Sequence, residues 1–268
     1  MMEQVLIKAR EVASKVVVEA GQAALSAFDR SVQVTEKDEF GDVVTEADHA
    51  AESIILKQLS KSFPDHAIIS EESGHNDVKS DWTWQVDPLD GTNNFAIGLP
   101  VFSSSITLIH KNQPVLGVIY EPVIDRLYVA DTLAGASCNG QTMQVQKRQN
   151  PNRFTIAWIQ GHAVRNEAKA VQLRQHLDLN CKRMLRTWAP TLCWALLAKG
   201  EIDGVVLYNS EGEDLYSGLL MVREAGALVF DFDGNEFTGI KSDTPYFIAC
   251  HPENRGYFLG LVREGLGL

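Results

Sequence analysis

In Trp84-Gln85-Val86-Asp87-Pro88-Leu89-Asp90-Gly91-Thr92-Asn93-Asn94-Phe95 an apolar run passes directly into two acids and a Gly-Thr turn. Pro88 restricts the turn between the acids, and Gly91 lets an anion approach the backbone closely. Residues Thr92 to Asn94 can open a helix whose first N–H groups have no intrahelical acceptor, so the stretch reads as a metal site beside a phosphate site. Upstream, Ile68-Ile69-Ser70-Glu71-Glu72-Ser73-Gly74 is a second β-prone run that ends in acids, and downstream Glu211-Gly212-Glu213-Asp214 opens a predicted helix. If these ends converge, their repulsion needs an answer: two carboxylates about 4 Å apart cost roughly 4 kcal/mol at an effective dielectric near 20. Such a group either protonates or recruits a hard divalent cation. An all-oxygen donor set suits Mg²⁺ or Mn²⁺, whereas zinc more often brings His or Cys, and none of the seven histidines flanks these acids closely enough to read as a ligand. The alternative is that the acids cap helices and solvate turns; it stays open for Asp48 and Asp214.

The elements that must position these residues follow from periodicity. Apolar residues from Val5 to Ala27 recur at helical spacing and predict one amphipathic helix over about 3–28. A second helix is expected from about Ala47 to Ser62, started near Thr45 or Glu46 and stopped by Phe63-Pro64, which places Asp48 in its first turn. Strands are expected at Ala67–Ile69, Trp82–Val86, Ser103–His110, Pro114–Tyr120 and Arg126–Ala130, several of them antiparallel. The polar stretch Gln146–Arg153 marks a division near residue 150, giving a half of residues 1–150 that carries most of the acids and a half of residues 151–268 that adds Asp214 and pocket residues. In the second half, strands near Phe154–Ile159, Arg183–Thr187, Gly204–Tyr208, Ala227–Phe230 and Phe247–Ala249 alternate with helices around 164–177, 189–199 and 213–225, which favours layered α/β packing.

Composition narrows the function classes. A chain of 268 residues that is 45% hydrophobic buries a substantial core, and a net charge of −11 gives no footprint for nucleic acid or an anionic membrane. The four cysteines form no C-x-x-C pair and read as reduced thiols. Charged residues interrupt the apolar N-terminal stretch, unlike a signal peptide, and no span reaches membrane-crossing length, so the expected location is the cytoplasm.

Together, Glu71-Glu72-Ser73, Asp87-Pro88-Leu89-Asp90-Gly91-Thr92-Asn93-Asn94-Phe95, and Asp214 ahead of Glu224-Ala225-Gly226 resemble the inositol monophosphatase family in order and spacing. Lys37 with Gly41-Asp42-Val43-Val44-Thr45-Glu46-Ala47-Asp48, and Cys138-Asn139-Gly140, extend the resemblance over almost the whole chain. The resemblance implies an αβαβα five-layered sandwich, a homodimer, and Mg²⁺-dependent, Li⁺-sensitive hydrolysis of a phosphate monoester by a metal-activated water, with two or three Mg²⁺ ions and Mn²⁺ as a substitute. Carried over by motif, Glu71, Asp87, the Leu89 carbonyl, Asp90 and Asp214 would hold metal. Glu71 and Thr92, with Asp48 behind Thr92, would activate the water. Gly91, Thr92, Lys37, Asn93, Ala189, Glu211 and Glu213 would face the substrate.

The chain departs from the family in the part that reads substrate. Glu213 stands where a Trp normally precedes the last metal-binding Asp, and the acid that inositol-selective members direct at ring hydroxyls falls on Leu207. Their Gly-Thr-Ala-Ala segment falls near Thr187-Trp188-Ala189-Pro190, where Trp188 could stack on a base or ring or pack as core. The expected substrate is inositol monophosphate or a similar polyol or sugar phosphate. The alternatives are a 3′(2′),5′-bisphosphate nucleotidase, a histidinol phosphatase or a fructose 1,6-bisphosphatase. From a different class, the chain could be a regulatory protein-binding partner, since some bacterial relatives are associated with the transcription machinery. Neither direct nucleic-acid contact nor membrane attachment is expected.

Overall fold

The computed structural model describes residues 2–28, 30, 33–38, 41–210, 214–239 and 245–268, without the side chains of Pro151 and Asp214. The chain begins with helix α1 (Met2–Phe28), followed by the hairpin of β1 (Val34–Glu36) and β2 (Val43–Thr45) and by helix α2 (Glu46–Ser62). Next come β3 (Ala67–Ser70), β4 (Gly74–His75), β5 (Trp82–Asp90), the short helix α3 (Thr92–Ala96), β6 (Ser103–His110), β7 (Gln113–Glu121), β8 (Arg126–Asp131), β9 (Gly135–Cys138) and β10 (Gln141–Thr142). These strands form an eight-stranded sheet in the order β10-β9-β8-β7-β6-β5-β3-β4, antiparallel throughout except for the parallel pair β3 and β5.

The remaining elements are β11 (Thr155–Gln160), α4 (Ala168–Asn180), β12 (Arg183–Leu185), α5 (Pro190–Ala198), β13 (Gly204–Tyr208), α6 (Asp214–Glu224), β14 (Leu228–Asp231), β15 (Tyr246–Cys250) and α7 (Arg255–Leu266). Their strands form a five-stranded sheet ordered β12-β11-β13-β15-β14, parallel around β11 and antiparallel around β15.

Three apolar clusters hold five layers together. The stripe Leu6, Ala9, Ala13, Val16, Val17 and Ala20 of α1 and Ala51, Ile55 and Leu59 of α2 bury against Trp84, Val86, Ile106 and Val118 of the first sheet. Helices α5 and α6 fill the space between the sheets, packing Trp194, Leu219 and Val222 against Ile119 and Tyr128 on one side and Val205 and Phe247 on the other. Helices α4 and α7 cover the far face through Leu173, Leu177, Phe258 and Val262. The order is therefore helix, sheet, helix, sheet, helix, the architecture the sequence resemblance implies.

Two departures from the sequence reading bear on the site. Strand β5 runs four residues beyond the expected Val86 and carries both acids, because its register against β6 shifts between Asp87 and Asp90 and so accommodates Pro88, which cannot donate to the ladder. Helix α7 was not expected at all: Gly256, Gly260 and Gly265 lower its intrinsic propensity, and burial of Phe258, Leu261 and Val262 overrides that weakness.

Close approach of α6 to α5 depends on Gly218, where a Cβ would lie 2.1 Å from the ring of the fully buried Trp194. The expected outcome for Gly218→Ala is a loss of about 1–3 kcal/mol, because overpacking outweighs the roughly 1 kcal/mol that alanine gains in helix propensity. Guanidinium unfolding of the variant should show a lower midpoint at unchanged slope.

Candidate active site

The acids at the end of β5 are held by hydrogen bonds from three directions. Asp87 and Asp90 are both buried, and the Asp87 carboxylate accepts from the Leu89 N–H at 3.1 Å. Asp90 Oδ2 accepts from the Thr191 N–H at 3.0 Å and from the Thr191 hydroxyl, with the Ser103 hydroxyl at 3.4 Å. Helix α5 thus reaches across from the second sheet to grip an acid of the first. Between β5 and α3, Gly91 has φ +91°, and a Cβ there would lie 2.8 Å from the Val101 carbonyl, so the turn after Asp90 requires glycine.

Asp48 enters from α2. Its Oδ2 accepts from the Thr45 N–H at 2.8 Å and the Thr45 hydroxyl at 2.6 Å, closing the capping box at the helix start. Its other oxygen lies 2.8 Å from the Thr92 hydroxyl, which is also 2.8 Å from the Leu89 carbonyl. A threonine hydroxyl has one proton, so carboxylate and carbonyl share it. Asp48 is 1% exposed, and burial raises its pKa while the Thr45 and Thr92 hydrogen bonds oppose the rise. The two sequence readings of Asp48, helix cap and partner of Thr92, are both realised by the same side chain.

The Glu71-Glu72 turn is clamped from behind. Glu52 of α2 is buried, and its Oε1 accepts from the Ser70 hydroxyl at 2.5 Å and from the Ser73 N–H and hydroxyl at 3.0 Å each, gripping the turn on both sides. In front, the Lys37 ammonium donates to Glu71 at 2.7 Å and to Glu72 at 2.5 Å. Burial pulls Lys37 down, but the two glutamates outweigh it and leave the ammonium above the ordinary lysine value. Burial raises Glu72, against the opposing Lys37 hydrogen bond.

These groups open on a cleft of about 350 Å³. Glu71, Asp87, Leu89, Asp90, Gly91, Thr92 and Asn93 form one wall, and Gln160, His162, Arg186, Thr187 and Trp188 belong to the opposite one. Lys37 lies on the glutamates rather than in the wall. Ala189 corrects the sequence reading: it has no exposed surface and packs behind Gly91, so it backs that turn and does not face the cleft. Asn94 donates to the Val101 and Thr187 carbonyls and ties α3 to the loop before α5. Glu211 and Glu213 lie outside the described residues; the backbone of Asp214 opens α6.

Leu207, the position counted as the substrate-reading acid in inositol-selective relatives, is 1% exposed in the core between the sheets. A charge introduced there would be withdrawn from water, at a cost that a partner would have to offset. Reasoning from sequence missed Glu52, Thr191, Gln160, His162 and Arg186. For Glu52 a signal existed: an acid four residues after Asp48 lies on the same helical face.

Comparison with known proteins places the chain. The sequence profile described as "Inositol monophosphatase family" matches residues 6–264. The chain belongs to the inositol monophosphatase family. An inositol-1-monophosphatase of Synechocystis sp. is 34% identical over 228 residues, covering 83% of this chain and 78% of that protein. A protein of Pasteurella multocida named Nus factor SuhB is 36% identical over 219 residues, covering 80% of this chain and 82% of its own. The crystal structure of the extragenic suppressor protein SuhB from Bartonella henselae superposes with a TM-score of 0.88 at 30% identity, over 96% of this chain and 99% of that one.

Members of this inositol monophosphatase family are metal-dependent, generally using Mg²⁺. Among the described residues no three His, Cys, Asp or Glu side chains form a ready-made metal cluster, and the expected ligand set also draws on the Leu89 carbonyl and Asp214. The donors still fit a hard cation: all are oxygens, Asp87 and Asp90 are buried carboxylates that gain from a neutralising charge, and Glu71 already takes a cationic partner in Lys37.

Glu52→Ala removes the acceptor that holds Ser70 and Ser73. The expected outcome is a stability loss of about 1–3 kcal/mol from unpaired donors and a Mg²⁺ affinity lower by about tenfold or more, since partners behind a ligand set its orientation. Calorimetric Mg²⁺ titration beside a thermal melt separates the effects; an unchanged affinity with a lower Tm would assign Glu52 to the fold alone.

Proposed function

We propose that this chain hydrolyses a small-molecule phosphate monoester, of the inositol, polyol or sugar phosphate class, at the turn from Asp87 to Thr92. It is a phosphoric monoester hydrolase of the inositol monophosphatase family. The observation that carries the assignment is the buried hydrogen-bonded row of Asp48, Thr92 and the Leu89 carbonyl beside Asp87 and Asp90 in one cleft.

Glu71, Asp87, the Leu89 carbonyl, Asp90 and Asp214 would hold Mg²⁺, which supplies positive charge that acidifies a water and stabilises the departing ester oxygen. The remaining work falls to the chain's own groups. Glu71 and the Thr92 hydroxyl orient the attacking water and take up its proton, and Asp48 fixes the Thr92 rotamer and draws the shared proton inward. The backbone N–H groups of Gly91 and Thr92 hold the phosphoryl oxygens at the start of α3, where the left-handed Gly91 brings the main chain close. The water oxygen bonds to phosphorus, the ester P–O bond breaks, and the leaving alkoxide takes a proton, giving the alcohol and inorganic phosphate.

Mn²⁺ as a substitute ion, a set of two or three ions, Li⁺ inhibition, homodimer assembly and a cytoplasmic site of action belong to the same proposal and rest on family membership. No helix among the described residues is long and apolar enough to cross a membrane. The SuhB-named relative supports a second reading, in which the protein also serves as a regulatory binding partner. The net charge of −11 favours protein contact over direct contact with nucleic acid in that role.

The test is phosphate release from a panel of inositol, sugar, histidinol and nucleotide phosphates, with Mg²⁺ and with chelator. Chelator-sensitive release is expected, and its absence from every ester would move the weight to the binding role. Thr92→Val keeps the shape of the side chain and removes the hydroxyl; the expected loss in kcat is about 10²–10⁴-fold with KM little changed, and a variant with near wild-type kcat would remove Thr92 from the mechanism.

A further inference from the structure

The wall of the cleft that faces the acids carries the opposite charge and an unfilled hydrogen-bonding site. Gln160, at the end of β11, is 8% exposed, and its amide oxygen accepts from the Trp158 indole N–H and from Arg174, both at 2.7 Å. Both partners are obligatory donors, so the orientation of the amide is fixed. Its nitrogen is buried without an acceptor, a state that costs roughly 1–3 kcal/mol.

In the same wall Arg186 is exposed, and no carboxylate among the described residues lies within ion-pair distance of it. Its guanidinium lies over the Trp188 ring, 5.8 Å from the centroid, and the His162 ring packs 4.9 Å from the same indole. Trp188 takes φ +53°, a left-handed conformation that costs a residue with a Cβ about 1–2 kcal/mol. The strained indole thus carries the guanidinium at the mouth of the cleft. Burial, and then the charge of Arg186, hold Arg174 below the ordinary arginine value, so the two guanidiniums feel each other.

A neutral ring hydroxyl offers the guanidinium no charged acceptor, whereas an anion does. A carboxylate or phosphate supplies an acceptor for the guanidinium, and one for the Gln160 nitrogen once a small shift of the side chain, with the Trp158 and Arg174 bonds kept, opens it to the cleft. The acid that would read ring hydroxyls is replaced by Leu207, whose side chain is in the core. We propose that Arg186 and Gln160 form a subsite for a second anionic group, phosphate or carboxylate, on the alcohol portion of the substrate. This specificity rests on the phosphatase reading of the opposite wall.

The test measures kcat/KM, in Mg²⁺, for fructose 1,6-bisphosphate against fructose 6-phosphate and for 3-phosphoglycerate against glycerol 3-phosphate; the first pair reports a second phosphate and the second a carboxylate. The expected result is a preference of about tenfold or more for the doubly anionic member of at least one pair, expressed in KM, which collapses toward one in Arg186→Gln. Gln160→Glu keeps the acceptor for Trp158 and Arg174 but turns the unpaired donor into an anion, and should reduce the preference as well. A wild-type ratio near one in both pairs, or a ratio that survives both substitutions, overturns the proposal.

Calorimetric binding of butane-1,4-bisphosphonate against butylphosphonate in Mg²⁺ separates the subsite from catalysis, since neither C–P bond is hydrolysed. If no ester releases phosphate, tighter binding of the bisphosphonate that is lost in Arg186→Gln keeps the subsite while the phosphatase reading fails. Equal binding of the two phosphonates in that case overturns the subsite too.

Discussion

Asp48, Asp87 and Asp90 are buried at one end of the first sheet, and a carboxylate withdrawn from water must be hydrogen-bonded, neutralised or protonated. Much of the local structure answers that constraint. The capping box of α2 supplies two donors to Asp48, α5 supplies two to Asp90, and the bulge in β5 turns the Leu89 N–H onto Asp87. Lys37 meets the more exposed Glu71. Each solution recruits a different element, so the site joins both sheets and two of the three helical layers, and the interior helix α5 serves the site as well as the packing.

The chemistry-bearing turn was legible because its residues do unusual things locally: acids at a strand end, a glycine before a Thr-Asn pair, and a capping threonine three residues before an acid each leave a mark within a few positions. The layered fold was legible for a similar reason, since apolar periodicity survives in α1, α2 and most strands. What was not legible depended on partners distant in sequence. Ala189 lies beside the Asp90-Gly91 turn in space, yet its side chain packs behind Gly91. Leu207 sits on a strand buried on both faces, with Val205 and Leu207 in one core and Val206 and Tyr208 in another, so counting along the chain could not say which face meets a ligand. Strand β5 passes through Pro88, where propensity alone argues for an end.

The two walls of the cleft divide the labour of a hydrolase. The acidic wall, with its glycine turn, is organised by hydrogen bonds that carry the family motif. The cationic wall is built from Gln160, Arg186 and Trp188. Different recognition surfaces beside a common reaction centre let one scaffold serve several phosphate esters.

Buried carboxylates that are hydrogen-bonded yet still charged favour a bound cation, and thermal unfolding of the wild type and Asp87→Asn, each with and without Mg²⁺, tests this most directly. The account predicts that Asp87→Asn is at least as stable as the wild type in chelator, because a repelling charge is gone and the Leu89 N–H keeps an acceptor. It further predicts that only the wild type gains stability on adding Mg²⁺, by about 2.7 kcal/mol at a hundredfold excess over Kd. An Asp87→Asn variant that is markedly destabilised in chelator yet keeps the full Mg²⁺-induced rise would contradict it.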